Sequence, residues 1–238
     1  DFKFGATLNY FQLNSNVEEL FLKELNYTTP ENSFKQTIVH PEPGVWNWTR
    51  VEAFLDFANS KNIEIRVHGP IGPQSSTWAK EDNRTPEELS QLYEEFLIEL
   101  CKKINGEGKV KWMDVVNETI ASSGEWTDKK EGTNKWENPW TQIGSNSDGI
   151  PLYIIKAFEI ANEYAPNISL IFNQHAGMQP EMWDKVKETI LGDPNFVNFN
   201  LEEILSDKNI EEIFNKINLN SCSDVGCLLY TSPSPRDR

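Results

Sequence analysis

The chain has 238 residues, of which 37 are acidic and 22 basic, for a formal net charge of −15. A surface that negative repels nucleic acid and anionic lipid unless a basic run offsets it, and no such run is present. No apolar stretch approaches the roughly 18 residues needed to cross a bilayer. The three cysteines, Cys101, Cys222 and Cys227, are odd in number and show no metal-ligand spacing, so neither a disulfide framework nor a zinc site is implied. The chain opens on "DFKFGATLNY" without an initiator Met or a basic-then-apolar leader. The true N-terminus is therefore expected upstream, and localisation is not legible from a signal.

In chain order, "FKFGATL" reads as a first strand and "NVEELFLKEL" (16–25) as a helix with an apolar stripe at Val17, Leu20, Phe21 and Leu25. "NYTT" supplies a second strand, followed by the proline-rich irregular segment "PENSFKQTIVHPEPGVWNW". Thr49 is expected to cap a helix whose buried stripe is Val51, Phe54, Leu55 and Ala58, with Glu52 closing the cap. "NIEIRVH" (62–68) is the third strand. Thr85-Pro86-Glu87-Glu88 then starts a helix with its stripe at Leu89, Leu92, Phe96, Leu100 and Ile104. "KVKWMDVVN" is the fourth strand, 151–165 a helix, "SLIFN" (169–173) the fifth strand and 180–190 a further helix. After 191 the pattern is ambiguous.

Five βα units in succession imply parallel strands with right-handed crossovers. A barrel and an open doubly wound sheet both fit. No glycine-rich phosphate loop follows the first strand, which favours an α/β (β/α)8 TIM barrel, incomplete, with about the first five βα units present. Polar residues gather at the C-terminal strand ends, where barrels place their sites: Asn9, the 31–35 segment, His68, Asn117-Glu118 and Asn173.

The chemistry of these ends has two readings at each position. By strand alternation, Trp112, Asp114, Val116 and Glu118 share one side and Met113, Val115 and Asn117 the other. A carboxyl at the mouth of an apolar barrel is favoured in its neutral form by desolvation and can hold a proton for donation, so Glu118 is either a general acid or a loop carboxylate facing water or capping a helix. Asn117 either bonds a sugar hydroxyl or caps the turn. His68 either hydrogen-bonds a ligand or orients a carboxylate, or is structural. Glu31, Asn32 and Lys35 combine an acceptor, a mixed group and a cation, suited to a neutral polyol or to a salt-bridged loop. Trp78, Trp126, Trp136 and Trp140 either line a groove or pack a long loop.

These residues carry a resemblance. "TTPENSFK" with "PEPGVWNWTRVEAFLDFA", "WMDVVNETI" and "AFEIANEYAPNISLIFNQH" resemble blocks of glycoside hydrolase family 10, the retaining endo-β-1,4-xylanase family. The likeness spans about 1–190 and implies a divergent, C-terminally truncated member. It implies that Glu118 is the acid/base, that Glu31, Asn32 and Lys35 are glycone-side contacts, that His68 lies beside the cleaved sugar, and that Asn117 contacts the sugar; Asn173 is counted with the substrate-binding residues. The chain departs from the family at "HGPIGPQSSTW", where Gly72 and Pro73 replace the family's Trp-His. It departs again at Asn173-Gln174-His175, in place of Asn-Asp-Tyr.

A retaining mechanism also needs a nucleophilic carboxylate, which the family carries on its seventh strand. Glu202 and Glu203 lack that context, so no residue is assigned and the fragment alone is expected to be inactive. The ending "CLLYTSPSPRDR" resembles a translated sequencing adapter. The expected division is therefore a partial catalytic barrel over 1–226 and a non-native tail over 227–238. The function implied is endo-acting hydrolysis of β-1,4-linked glycans, xylan-like hemicellulose first; the alternative is a non-catalytic carbohydrate-binding barrel. The partner implied is a polysaccharide or oligosaccharide, with no nucleic acid, no membrane and no cofactor required. A secreted or periplasmic location follows from the substrate class alone.

Overall fold

The structure is a computed structural model and describes residues 3–73, 77–132, 136–174 and 180–186. Strands and helices alternate: β1 Gly5–Leu8, α1 Asn16–Glu24, β2 Tyr27–Pro30, α2 Gln36–Val39, α3 Thr49–Lys61, β3 Glu64–Val67, α4 Pro86–Asn105, β4 Val110–Asn117, α5 Leu152–Tyr164, β5 Ser169–Asn173 and α6 Pro180–Val186. Every neighbouring pair of strands is parallel, in the spatial order β1-β2-β3-β4-β5. This order separates the two architectures that the βα pattern leaves open. A doubly wound sheet reverses its strand order at a switch point, whereas a barrel wall adds each strand beside the last. The residues divide into two compact units, one of Asp1–Thr119 with Thr127–Asn173, which holds all five strands, and one of Ile120–Trp126 with the segment from Gln174 onward. The expectations for 187–238, including Glu202, Glu203 and the tail 227–238, lie outside the described residues.

The helices form where their caps and stripes direct. Thr85 and Glu88 make a reciprocal capping box: Thr85 Oγ1 accepts the Glu88 N–H at 3.3 Å and Glu88 Oε2 accepts the Thr85 N–H at 2.9 Å. Below the box, α4 buries Leu89, Tyr93, Phe96, Leu97, Leu100, Cys101 and Ile104, and it packs beside α5. Burial pushes the Cys101 thiol up to about 12, which leaves it a small apolar filler without nucleophilic character. For α3 the cap differs from expectation: Thr49 is already helical, and its N–H is accepted by Asn47 Oδ1 at 3.2 Å. Asparagine bonds the backbone two residues on readily, so it takes the role two positions earlier.

On α1 the expected stripe is corrected. Phe21 is buried and meets Phe57 of α3 edge to face, with ring centroids 6.3 Å apart, but Val17 and Leu20 are 41% and 63% exposed. Glu18 is buried in their place and accepts the Asn14 N–H at 2.6 Å. Phe21 and Glu18 thus mark the covered side of α1, so periodicity identified the apolar positions but not the covered face. The tryptophans divide as well. Trp140 is fully enclosed, with ring centroids 5.8 Å from Trp78 and 5.1 Å from Tyr93, so these two tryptophans pack their loops onto α4.

His40, just past α2, is fully enclosed between the rings of Trp46 and Phe96, with centroids at 4.3 and 6.3 Å. Burial lowers its pKa, and the charge of Glu95 only partly opposes that. The unfolded chain takes up this proton near pH 6.5 while the folded protein still holds the ring neutral, so stability is lost as pH falls through the unfolded value toward the folded one. His40→Leu is expected to flatten the fall in melting temperature between about pH 7 and pH 5. Melting curves of the two proteins across that range check it.

Candidate active site

The loops at the C-terminal strand ends are built on the strand register. Leu8 pairs with Pro30, which sets Asn9 beside Glu31, and Asn9 Nδ2 donates to Glu31 Oε2 at 2.8 Å. The chain then turns through 31–35, with the Lys35 N–H donating to the Asn32 carbonyl at 3.2 Å. The Gln36 N–H reaches the Pro70 carbonyl at 3.0 Å and ties this turn to the loop after β3. Lys35 is half-buried. Burial lowers its pKa, opposed by the charges of Glu118 and then Glu31, so this cation stands within electrostatic reach of both carboxylates.

Inside the wall, β3, β4 and β5 share one polar network. Asp114 is fully enclosed; its Oδ1 accepts from Arg66 Nε at 2.7 Å and lies 2.6 Å from Arg66 Nη2. Its Oδ2 lies 2.7 Å from His68 Nδ1. A proton on Nδ1 would leave His68 Nε2 as the ring's acceptor. Arg66 Nη2 also donates to Asn173 Oδ1 at 3.0 Å, and Asn173 Nδ2 donates to Asn117 Oδ1 at 2.6 Å. Burial works to lower the Arg66 pKa, but the charge and hydrogen bond of Asp114, with help from Tyr27, leave it raised.

This network corrects the expected alternation on β4. The register with β5 runs Asp114↔Ile171, Val116↔Phe172 and Asn117↔Asn173, so one extra residue is accommodated at Val115. A bulge of this kind shifts every later side chain by one. Asn117 therefore joins Asp114 on the network side. Glu118 then leaves the strand with φ +51°, a left-handed conformation that costs a non-glycine residue roughly 1–2 kcal/mol. Its backbone is tied at both ends of the residue: the Glu118 N–H donates to the Asn173 carbonyl at 2.9 Å, and the Glu118 carbonyl accepts from Thr127 Oγ1 at 3.3 Å.

The loop after β3 runs alongside. Ile71 bridges to Val116, and its carbonyl accepts the Asn117 N–H at 2.8 Å. That approach requires glycine at 72, because a Cβ there would stand 2.8 Å from the Asn117 carbonyl oxygen. A tryptophan at this position, as in the family pattern, would need the backbone to move. Gly72→Ala is expected to lower stability by about 1–3 kcal/mol. Gly106→Ala, where a Cβ meets nothing within 4 Å, should stay within about 0.5 kcal/mol, and thermal melts of both variants check the contrast. The second departure, Gln174, lies in the other unit, where its amide grips Ile120 twice: Oε1 accepts the Ile120 N–H at 3.2 Å and Nε2 donates to the Ile120 carbonyl at 2.8 Å.

Of the residues anticipated from sequence, Lys35 feels the charges of Glu118 and Glu31, and His68, Asn117 and Asn173 are joined through Asp114 and Arg66. Asn32 contributes its carbonyl to the Lys35 turn. Arg66 and Asp114 are additional members of the site. Their signal was present in the sequence as charges inside the apolar strands "IEIRVH" and "WMDVVN", since such charges are buried only when paired.

The family model "Glycosyl hydrolase family 10" matches residues 1–192. The chain is 30% identical over 192 residues to endo-1,4-beta-xylanase A of Caldicellulosiruptor saccharolyticus, covering 79% of this chain and 53% of that protein. It superposes on native xylanase 10B from Thermotoga maritima with a TM-score of 0.63 and 28% identity, over 79% of this chain and 54% of the other. The same values hold for xylanase 10B from Thermotoga petrophila RKU-1 in complex with xylobiose. The chain spans 53% of the length of the Caldicellulosiruptor saccharolyticus relative and 26% of endo-1,4-beta-xylanase A of Caldicellulosiruptor sp. (strain Rt8B.4). With the barrel order of its strands and a family match over more than half its residues, the chain belongs to glycosyl hydrolase family 10.

Proposed function

We propose that the complete protein to which this chain contributes five βα units is an endo-acting retaining glycoside hydrolase of β-1,4-linked glycans, xylan-like hemicellulose first. The observation that carries the reading is the placement of Glu118, turned out of β4 by its left-handed backbone and held within reach of the Lys35 charge. The names of the relatives supply the substrate class.

In this reading Glu118 protonates the glycosidic oxygen as the bond to the anomeric carbon breaks. A second carboxylate attacks that carbon from the opposite face, and Glu118 then takes a proton from the water that hydrolyses the glycosyl-enzyme. The two carboxyls stand about 5–5.5 Å apart in retaining enzymes. No described carboxylate is assigned as nucleophile, and Asp114 is already engaged by Arg66 and His68. Glu31, Asn32 and Lys35 bind the glycone side, His68 lies beside the cleaved sugar, Asn117 contacts the sugar, and Asn173 belongs to the substrate-binding set through its bond to Asn117. A polymeric substrate places the protein outside the cytoplasm, secreted or periplasmic. The domain reading goes with this one: 1–226 belongs to the barrel and 227–238 is not native to it, which reading the gene's 3′ end from source DNA tests.

The test of function is to express the complete gene product and follow reducing ends released from xylan, mannan and mixed β-glucan. Release from xylan is the expected result. Binding of xylan without release would favour the carbohydrate-binding alternative, to which the rebuilt loop at Gly72 lends support.

A further inference from the structure

Arg66 and Asn173 determine which way the Asn117 amide faces. The orientation of an asparagine amide is ordinarily inferred from its partners, because oxygen and nitrogen look alike. Here the series starts at groups without ambiguity: an ionised aspartate only accepts and a guanidinium only donates. Arg66 is held by Asp114 and donates to Asn173, which must therefore turn its oxygen toward Arg66. Its NH2 then points the other way and donates to Asn117 Oδ1 at 2.6 Å. The Asn117 oxygen is occupied on the Asn173 side, so its NH2 is the group left to face elsewhere. Reversing both amides would aim an NH2 at the guanidinium, donor against donor. The same Asn173 fixes the next residue too, since its carbonyl accepts the Glu118 N–H at 2.9 Å.

We propose that Arg66 and Asn173 are positioning residues that lock Asn117 as a hydrogen-bond donor, so that the site takes its sugar there through an acceptor oxygen. The proposal rests on the glycan-binding reading above and assigns Asn173 a role exercised through Asn117. Asn173→Asp isolates it. The new carboxylate still accepts from Arg66, but its second oxygen also accepts, which forces Asn117 to turn its NH2 inward and present its oxygen to the ligand. Arg66→Met is avoided because it strands the enclosed Asp114 charge.

Two measurements on the complete protein decide the matter. In side-chain amide hydrogen exchange of asparagine-labelled protein, the protected NH2 between these two residues is expected to belong to Asn173 and to lose protection in Asn117→Ala. Assignment of the protected NH2 to Asn117 would overturn the proposal without any ligand present. In calorimetric titration with a thio-linked xylotriose that the enzyme cannot hydrolyse, Asn173→Asp is expected to weaken Kd about tenfold in the native background and less than about twofold in the Asn117→Ala background. Equal losses in both backgrounds, or none in either, would also overturn it. Failure of the unmutated protein to bind the thio-linked xylotriose would count against the glycan reading instead, and the exchange result would still decide the orientation.

Discussion

In the complete protein, replacing Glu118 by alanine is expected to lower kcat/KM on xylan by about 10²- to 10⁴-fold, the contribution typical of a positioned general acid and base. The loss should depend on the leaving group. A xylan chain departs as a poor alkoxide and needs its oxygen protonated as the bond breaks, whereas an aryl xyloside with a nitrophenolate leaving group does not. The variant should therefore form its glycosyl-enzyme from the aryl substrate at close to the normal rate and then stall, because the water that resolves it lacks its base. Azide needs no base and should restore turnover, releasing the β-xylosyl azide. Steady-state kinetics on both substrates, with and without azide, check this. A uniform loss on both substrates with no azide rescue would show that Glu118 serves the fold and not the proton transfer. The left-handed backbone at Glu118 makes that control necessary, and the hydrogen bonds to Asn173 and Thr127 that hold it do not involve the side-chain carboxylate.

The second large effect is expected at Asp114. Its carboxylate is 0% exposed and takes three close nitrogen contacts, two from Arg66 and one from His68. Asp114→Ala leaves the largely buried Arg66 guanidinium without its counter-charge and should cost up to about 3–5 kcal/mol, the usual result of removing one partner from a buried pair. Replacing both members together, Arg66→Met with Asp114→Leu, should recover most of that loss, since apolar groups of similar volume need no compensation. The double variant would still lose activity, because His68 and Asn173 lose the groups that orient them. Melting temperature and activity measured on all three proteins separate the effects. An Asp114→Ala protein as stable as the parent would remove the network from the account.

Much of this was open to reading in the sequence. The third and fifth strands are short apolar runs with flanking turns, and the α4 start at Thr85-Pro86-Glu87-Glu88 reads directly as the capping box that forms. Glu118 stood out as a candidate because a strand rich in Val ends in Asn-Glu, a pattern that by itself fits a general acid or a loop carboxylate equally. What could not be read depends on partners distant in the chain. The bulge at Val115 exists only as a mismatch with β5, so the side on which Asn117 falls is undefined until that strand is paired. Arg66 and Asp114 are 48 residues apart, and a single charge inside a strand does not name its counter-ion. Val17 and Leu20 have helical spacing, but spacing does not say which face of α1 a neighbour covers. The glycine at 72 was visible as a departure; its cause, the Asn117 carbonyl 2.8 Å from where a Cβ would stand, was not.

The measurement that tests the central claim most directly is the anomeric configuration of the first product released from xylotetraose by the complete protein, followed by proton NMR before mutarotation sets in. Glu118 acting with a nucleophile through a glycosyl-enzyme predicts that the β anomer appears first. Initial release of the α anomer would mean a single displacement and contradict the assignment of Glu118 as both acid and base; no release of either anomer, with xylotetraose bound, would make this barrel a sugar-binding protein.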